Sequence, residues 1–171
     1  MEFEEVLEKR HSVRRFLRKE VEEGKVRGIL HAASRAPSAG NLQAYKIFVV
    51  KNDGIRRRLA DAAYGQEAVA SAPVVLVFCA DEQKSAARYA KRGESLYSVQ
   101  DATIACAYAQ LAATACGLAS VWVGAFRDEE VARIIGAAAR EVPVALLPLG
   151  YAAEKEEATA MAPIEEIATE M

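Results

Sequence analysis

Apolar positions along the chain fall into two kinds of spacing. Phe3, Val6, Leu7 and Arg10 recur at helical intervals and predict a short helix over residues 2–10. Beyond Val21, the positions Val26, Ile29, Leu30 and Ala33 form one face of a second helix. Glu20, Glu22 and Glu23 crowd its start, where acids suit the helix dipole. Pro37 pushes Ala36 out of the helical region, so this helix stops near Arg35. A loop of small and amide residues, APSAGNLQ, comes next. YKIFVV (45–50) has the β-branched and aromatic content of a strand. Residues 53–71 read as helical with an interruption at Gly65, and PVVLVFCA (73–80) is a continuous apolar run, the mark of a strand buried on both faces.

A polar helical stretch over 82–93 leads into a long helix at about 94–116. From Ala102 onward that helix is apolar nearly all round, so it must be covered on several sides. Ala105, Ala109, Ala112 and Ala113 allow close packing, and Gly117 is placed as its C-cap. ASVWVGAF (119–126) predicts a strand, Arg127–Ala138 an amphipathic helix and VPVALLPLGY (142–151) another buried strand. The tail over 152–171 is polar, then weakly helical around Ile164 and Ile167. No repeat or linker is visible, so residues 1–171 are expected to form one domain, a sheet covered by helices. The pattern leaves strand order open.

The uncharged run from Ala102 to Phe126 is long enough to span a bilayer. It is mostly alanine, carries Thr103, Gln110, Thr114 and Ser120, is broken by Gly117 and lacks Lys/Arg asymmetry at its flanks. A buried helix running into a buried strand explains it better. Covering such a helix calls for a homodimer interface, in which it pairs with its own copy, or for a central place within one subunit.

At 171 residues the chain can bury roughly 70% of its unfolded surface without disulfides or metal. A net charge of -2 offers no global field for nucleic acid or an anionic membrane, so any anion site must be local. The cysteines (Cys79, Cys106 and Cys116) are odd in number, lack CxxC spacing and lie in apolar stretches. They read as buried thiols of a reducing compartment, not as a disulfide framework or a metal site. The N-terminal MEFEEVLEKR is acidic and amphipathic, unlike a signal peptide, so a cytoplasmic location is expected.

Neither His11 nor His31 begins an HExxH or a triad-like set, and His31 reads as structural. GxSxG, P-loop and GxGxxG patterns are absent, which weakens hydrolase and nucleoside-triphosphate readings. An enzyme without acid–base machinery can act through a cofactor, and three segments have that character. In RHSVRRF (10–16), Arg10 and Arg14 lie four apart with Ser12 between them, a set that converges well on a phosphate monoester. In APSAGNLQ, Ser38, Ala39 and Gly40 let backbone approach a flat ligand, while Asn41 and Gln43 offer donors and acceptors to a ring edge. In WVGAF, Gly124 and Ala125 end a strand where large side chains would block a ring. Taken singly these are a solvated basic turn, an ordinary loop and an ordinary strand end.

In this order the three segments resemble the nitroreductase family of FMN-dependent oxidoreductases. RHSVR is similar to its R-x-S-x-R motif, APSAGNLQ to its A-P-S-x-x-N-x-Q loop, GLASVWVGAF to its flavin-flanking strand and LPLGY to its penultimate strand. The resemblance covers nearly the whole chain. It implies an α+β sandwich, with a central, mostly antiparallel sheet flanked by helices, in an interlocked homodimer with FMN at the interface. Arg10, Ser12 and Arg14 resemble the phosphate and ring-edge contacts, with His11 contributing through its backbone. Pro37, Ser38, Asn41 and Gln43 fall in the cofactor loop, with Ser38 and Asn41 similar to contacts donated across the dimer. Gly124 resembles the position whose N–H meets flavin N5, with Val123 and Ala125 beside it.

The resemblance further implies a ping-pong cycle. NADH or NADPH reduces the flavin, and a nitroaromatic, quinone, flavin or oxygen then takes the electrons. No catalytic side chain and no metal are expected. Two departures stand out. The family's Q-P-W is here Gln43-Ala44-Tyr45, and Thr159 and Met161 stand where basic residues usually complete the phosphate site. Lys155, or Arg15 turned inward, could substitute. The alternatives are a non-catalytic flavin- or nucleotide-binding protein, or a family relative with other flavin chemistry such as reductive dehalogenation.

Overall fold

The computed structural model describes residues 1–154 and 160–171. The expected Lys155 and Thr159 roles therefore lie outside the described residues. Helices α1 (Phe3–Lys9) and α2 (Glu23–Ser34) precede strand β1 (Tyr45–Val50). Then come α3 (Asp53–Ala62), α4 (Glu67–Ser71), β2 (Val74–Asp81), α5 (Glu82–Arg92) and α6 (Ser98–Ala115). The chain closes with β3 (Ala119–Ser120), α7 (Asp128–Ile135), β4 (Glu141–Gly150) and α8 (Ile164–Ile167).

The sheet has the order β1-β2-β4-β3 and every pairing in it is antiparallel. β2 is at its centre and shows why a continuous apolar run was needed. Val74, Leu76 and Phe78 pack with α2 and α6, against Val26, Ile29, Ala33, Ala105, Cys106 and Ala109. Val75, Val77 and Cys79 alternate to the other face, against Leu59, Val69 and Val131 of α3, α4 and α7. Two cores thus sandwich one sheet, which is the α+β architecture the sequence resemblance implies.

Two predicted boundaries move by four residues or more, each for a physical reason, and the helix expected over Arg127–Ala138 ends at Ile135, capped by left-handed Gly136. The strand expected over 119–126 is regular only at Ala119–Ser120. The Val121 amide still donates to the Pro148 carbonyl (3.3 Å), but Pro148 has no N–H to return, so the ladder lapses. It resumes at Val123, which exchanges two 2.9 Å bonds with Leu146. The long helix begins at Ser98, not near 94, because α5 bends at Ala90 (φ 47°, ψ -137°) into a wide turn over Gly93–Tyr97. Gly93 passes so close to α5 that a Cβ there would sit 2.5 Å from the Ser85 carbonyl oxygen.

α6 carries two apolar faces. Ala102, Ala105, Cys106, Ala109 and Ala113 are buried within the chain. The opposite face runs through Val99, Thr103, Ala107, Tyr108, Leu111 and Ala115 and is open, with Val99 and Tyr108 exposed. Phe3 and Leu7 of α1 and Ile164 and Ile167 of α8 are also exposed apolar side chains. No helix among the described residues is long and apolar enough to cross a membrane. Burial pushes the Cys79 thiol up to about 12, and it raises Cys106 as well. Cys116 departs from the expected burial, being half-buried just past the end of α6. His31 is exposed in the last turn of α2 and does not enter the core.

Candidate functional site

RHSVRRF leaves α1 in extended form. The Arg10 amide still closes the helix on the Val6 carbonyl (3.0 Å), and Ser12 then pairs in parallel with Ser120 of β3. The Val13 amide donates to the Ser120 carbonyl (3.1 Å), and the Val13 side chain enters the α3–α4–α7 core. Burial at Val13 and Phe16 thus leaves Ser12, Arg14 and Arg15 exposed, with Arg10 and His11 half-buried. Among the described residues no carboxylate lies within ion-pair distance of Arg10 or the Arg14 guanidinium, whose Nη1 donates to the Ser12 carbonyl (3.3 Å). Glu154 instead accepts from the Arg14 and Arg15 amides (2.7 and 3.3 Å) and pairs with Arg15 (3.8 Å). Arg15 therefore points outward. The Ser120 hydroxyl beside this segment is buried and has no partner among the described residues.

On the same sheet edge, Val123 is buried, so only its backbone could face a ligand, and both its polar groups are taken by Leu146. Gly124 and Ala125 are exposed, and their amides have no hydrogen-bond partner among the described residues. The backbone at Gly124 does not need a glycine. A Cβ there would meet Trp122 Nε1 at 3.5 Å and Cδ1 at 3.8 Å, ordinary contacts, and φ lies outside the left-handed region. Two N–H donors at an exposed strand end, without partners among the described residues, can donate to a group outside the chain.

The APSAGNLQ loop is built differently. Pro37 and Asn41 are exposed, while Ser38 and Gln43 are partly buried. Gly40 (φ 57°), Asn41 (φ 57°) and Gln43 (φ 49°) all hold left-handed conformations. For a residue with a Cβ that costs roughly 1–2 kcal/mol. At Gly40 a Cβ would also lie 2.4 Å from the Tyr89 hydroxyl of α5. The loop is braced from within: Ser38 Oγ accepts from the Gln43 amide (2.9 Å), and Gln43 Nε2 caps α2 at the Ser34 carbonyl (2.7 Å). It is gripped from outside by Asp101 of α6, whose carboxylate accepts from the Ala39 amide (2.9 Å) and the Ala44 amide (3.3 Å). Sequence reasoning missed Asp101. The signal was there, in one acid placed just before a 25-residue uncharged run.

One chain brings together two of the three segments. Residues 10–14 and 123–125 share the β3 edge, whereas the loop runs into β1 at the opposite edge. Three strand spacings, about 14 Å, separate β1 from β3, and residues 10–14 pair one strand further out. The loop is tied near the N-terminus of α6, and β3 follows its C-terminus, some 27 Å along an 18-residue helix.

A cofactor of FMN's chemistry fits what is present. Among the described residues, two guanidiniums without carboxylate partners and an orphaned hydroxyl lie near Ser12, and amides without partners lie at Gly124 and Ala125. No group of three or more His, Cys, Asp or Glu that could hold a metal ion occurs among the described residues.

The model of the Nitroreductase family matches residues 7–70 and 62–151. An NADH dehydrogenase of Thermus thermophilus is 34% identical over 186 residues, covering 93% of this chain and 91% of that protein. The crystal structure of a nitroreductase family protein from Streptococcus pneumoniae superposes with a TM-score of 0.91 at 28% identity, over 99% of this chain and 100% of that one. The NADPH:FMN oxidoreductase of Vibrio harveyi, complexed with NAD+, gives 0.90 at 26% identity, over 98% of this chain and 76% of that one.

Proposed function

The chain belongs to the nitroreductase family, and from that premise we propose that it is an FMN-dependent oxidoreductase. It takes electrons from NADH or NADPH and passes them in a ping-pong cycle to a small acceptor: a nitroaromatic, a quinone, a free flavin or oxygen. FMN, when bound, supplies the acceptance of hydride and the onward donation of electrons. The observation that carries the reading is Gly124, a glycine the fold does not require, with amides at its strand end that have no partner among the described residues.

The chain's own groups divide the work. The Arg10 and Arg14 forks and the Ser12 hydroxyl would hold the phosphate. The Gly124 and Ala125 amides would donate to the ring, and a cation near the ring edge favours negative charge developing there. No side chain has to move a proton, since this end of the site is open to water.

The third segment requires a second copy of the chain. A two-fold axis across the middle of α6 sets the N-terminus of one helix beside the C-terminus of its partner. That brings the loop of one subunit toward the 10–14 and 123–125 segments of the other. It also covers the open apolar face of α6. The test is rapid-mixing reduction of the FMN-loaded protein by NADH and by NADPH. Flavin bleaching followed by reoxidation with an added quinone supports the reading, and a chain that binds no FMN on titration refutes it.

A further inference from the structure

Asp101 is the only charged residue on α6. It is 2% exposed, and no Lys, Arg or His lies within ion-pair distance among the described residues. A carboxylate so deeply buried without a cation needs other donors. It finds two, at either end of one short loop: Oδ1 accepts from the Ala39 amide at 2.9 Å and Oδ2 from the Ala44 amide at 3.3 Å. Between these points lie the left-handed residues Gly40, Asn41 and Gln43. A backbone in sparsely populated conformations persists only when its surroundings over-determine it. Ser38 and the Gln43 side chain brace the loop from within, and Lys84 and Arg88 of α5 donate to its Gln43 and Gly40 carbonyls (3.3 and 3.4 Å), but among the described residues Asp101 is the one side chain that accepts from the amides at both ends.

We infer that Asp101 is the positioning residue of the cofactor site. Its carboxylate holds loop 38–44 in the shape in which Ser38 and Asn41 are presented to the FMN of the partner subunit. The inference rests on the FMN reading given above. It assigns Asp101 no contact with the cofactor: the residue acts through the loop. Asparagine has nearly the same shape but one acceptor oxygen in place of two, so it can satisfy one amide and turns its own N–H2 toward the other. If the substituted loop keeps its native shape about one-tenth of the time, apparent FMN affinity falls about tenfold, because affinity scales with the competent fraction.

The experiment uses the full chain, wild type and Asp101→Asn, with FMN and riboflavin as probes. In the ligand-free wild type, the Ala39 and Ala44 amides are expected to be protected from hydrogen exchange. In Asp101→Asn they should exchange at least about tenfold faster, while β2 and β4 amides are unchanged. FMN and riboflavin should weaken by the same factor of about ten, since the loop is assigned to the ring and not to the phosphate. The visible circular dichroism of bound flavin should also change, which a mere loss of melting temperature would not produce. Unprotected Ala39 and Ala44 amides in the ligand-free wild type overturn the inference, even if the variant does not fold. FMN binding that survives Asp101→Asn unchanged overturns it too. A wild type that binds no FMN overturns the flavin reading itself, and with it the role given to Asp101.

Discussion

Replacing Gly124 with alanine separates what the chain needs from what a ligand needs. The new methyl would meet Trp122 at 3.5 and 3.8 Å, inside ordinary contact range, and the backbone is not in the left-handed region. Gly→Ala at a compatible site stabilises by about 0.4–1 kcal/mol through the unfolded chain. For a chain of this size that is roughly 1–4 °C in melting temperature. A ring lying against this strand would lose on two counts. Overpacking costs about 1–3 kcal/mol, and losing one hydrogen bond from the Gly124 amide costs about 0.5–1.5 kcal/mol. Together they weaken FMN by roughly tenfold to several hundredfold or more. The assay is a thermal melt of the ligand-free variant beside an FMN titration read by quenching of Trp122, the one tryptophan in the chain. Unchanged FMN affinity would refute the placement of the ring at Gly124. A lower ligand-free melting temperature would show that the chain or its partner needs the space.

Arg10→Ala should weaken FMN by about tenfold to a hundredfold or more, the loss of one charge-assisted contact, while riboflavin binding stays nearly constant. Equal losses for both ligands, by titration, would remove Arg10 from the phosphate end. Tyr108→Asp places a charge on the open face of α6 at a position 40% exposed, so the single chain tolerates it. A charge buried unpaired at an interface costs about 3–5 kcal/mol, and sedimentation should show monomers whose FMN affinity has fallen in step. A dimer that persists with FMN bound would contradict the shared site. Cys79, with its thiol near 12, should hold about one thiolate in ten thousand at pH 8, and neither it nor the buried Cys106 should react with a thiol reagent until the chain is denatured. Rapid native labelling of either residue would show that the core opens.

The elements were legible where a single periodicity decided them. β1, β2, β4, α2 and the split of 53–71 follow from apolar spacing and from Gly65, and they fall within a residue or two of expectation. What stayed hidden were effects of partners distant in sequence. The 119–126 strand frays because its neighbour carries Pro148, 27 positions away, and no local pattern reveals that missing donor. The site divides in the same way. RHSVR and the 123–125 segment are visible as motifs because their chemistry sits in contiguous residues. Val123 belongs to the motif, yet its side chain turns into the core, which only the register with Leu146 reveals. Asp101 was invisible as a loop anchor because the amides it binds lie 57 and 62 positions before it.

With FMN placed as proposed, the charge balance at its phosphate end accounts for Thr159 and Met161 standing where basic residues are expected. A phosphate monoester carries about -1.5 to -2 charges near neutral pH. Arg10 and Arg14 supply two positive charges, and neither guanidinium is paired with a carboxylate among the described residues. Arg15 adds little, since Glu154 faces it and its side chain is 81% exposed. Met161 is exposed and brings no charge. Among the described residues, a phosphate at the proposed site would therefore be close to neutralised by two cations, with no surplus. Glu154 has a second effect, because its carboxylate already occupies the Arg14 and Arg15 amides. Those amides are closed to a phosphate, so in the proposed site the Ser12 hydroxyl and the two guanidinium forks would be its donors among the described residues. With FMN placed as proposed, affinity at this end would rest on few contacts, each hard to replace, and the ring end at Gly124 would contribute a correspondingly larger share.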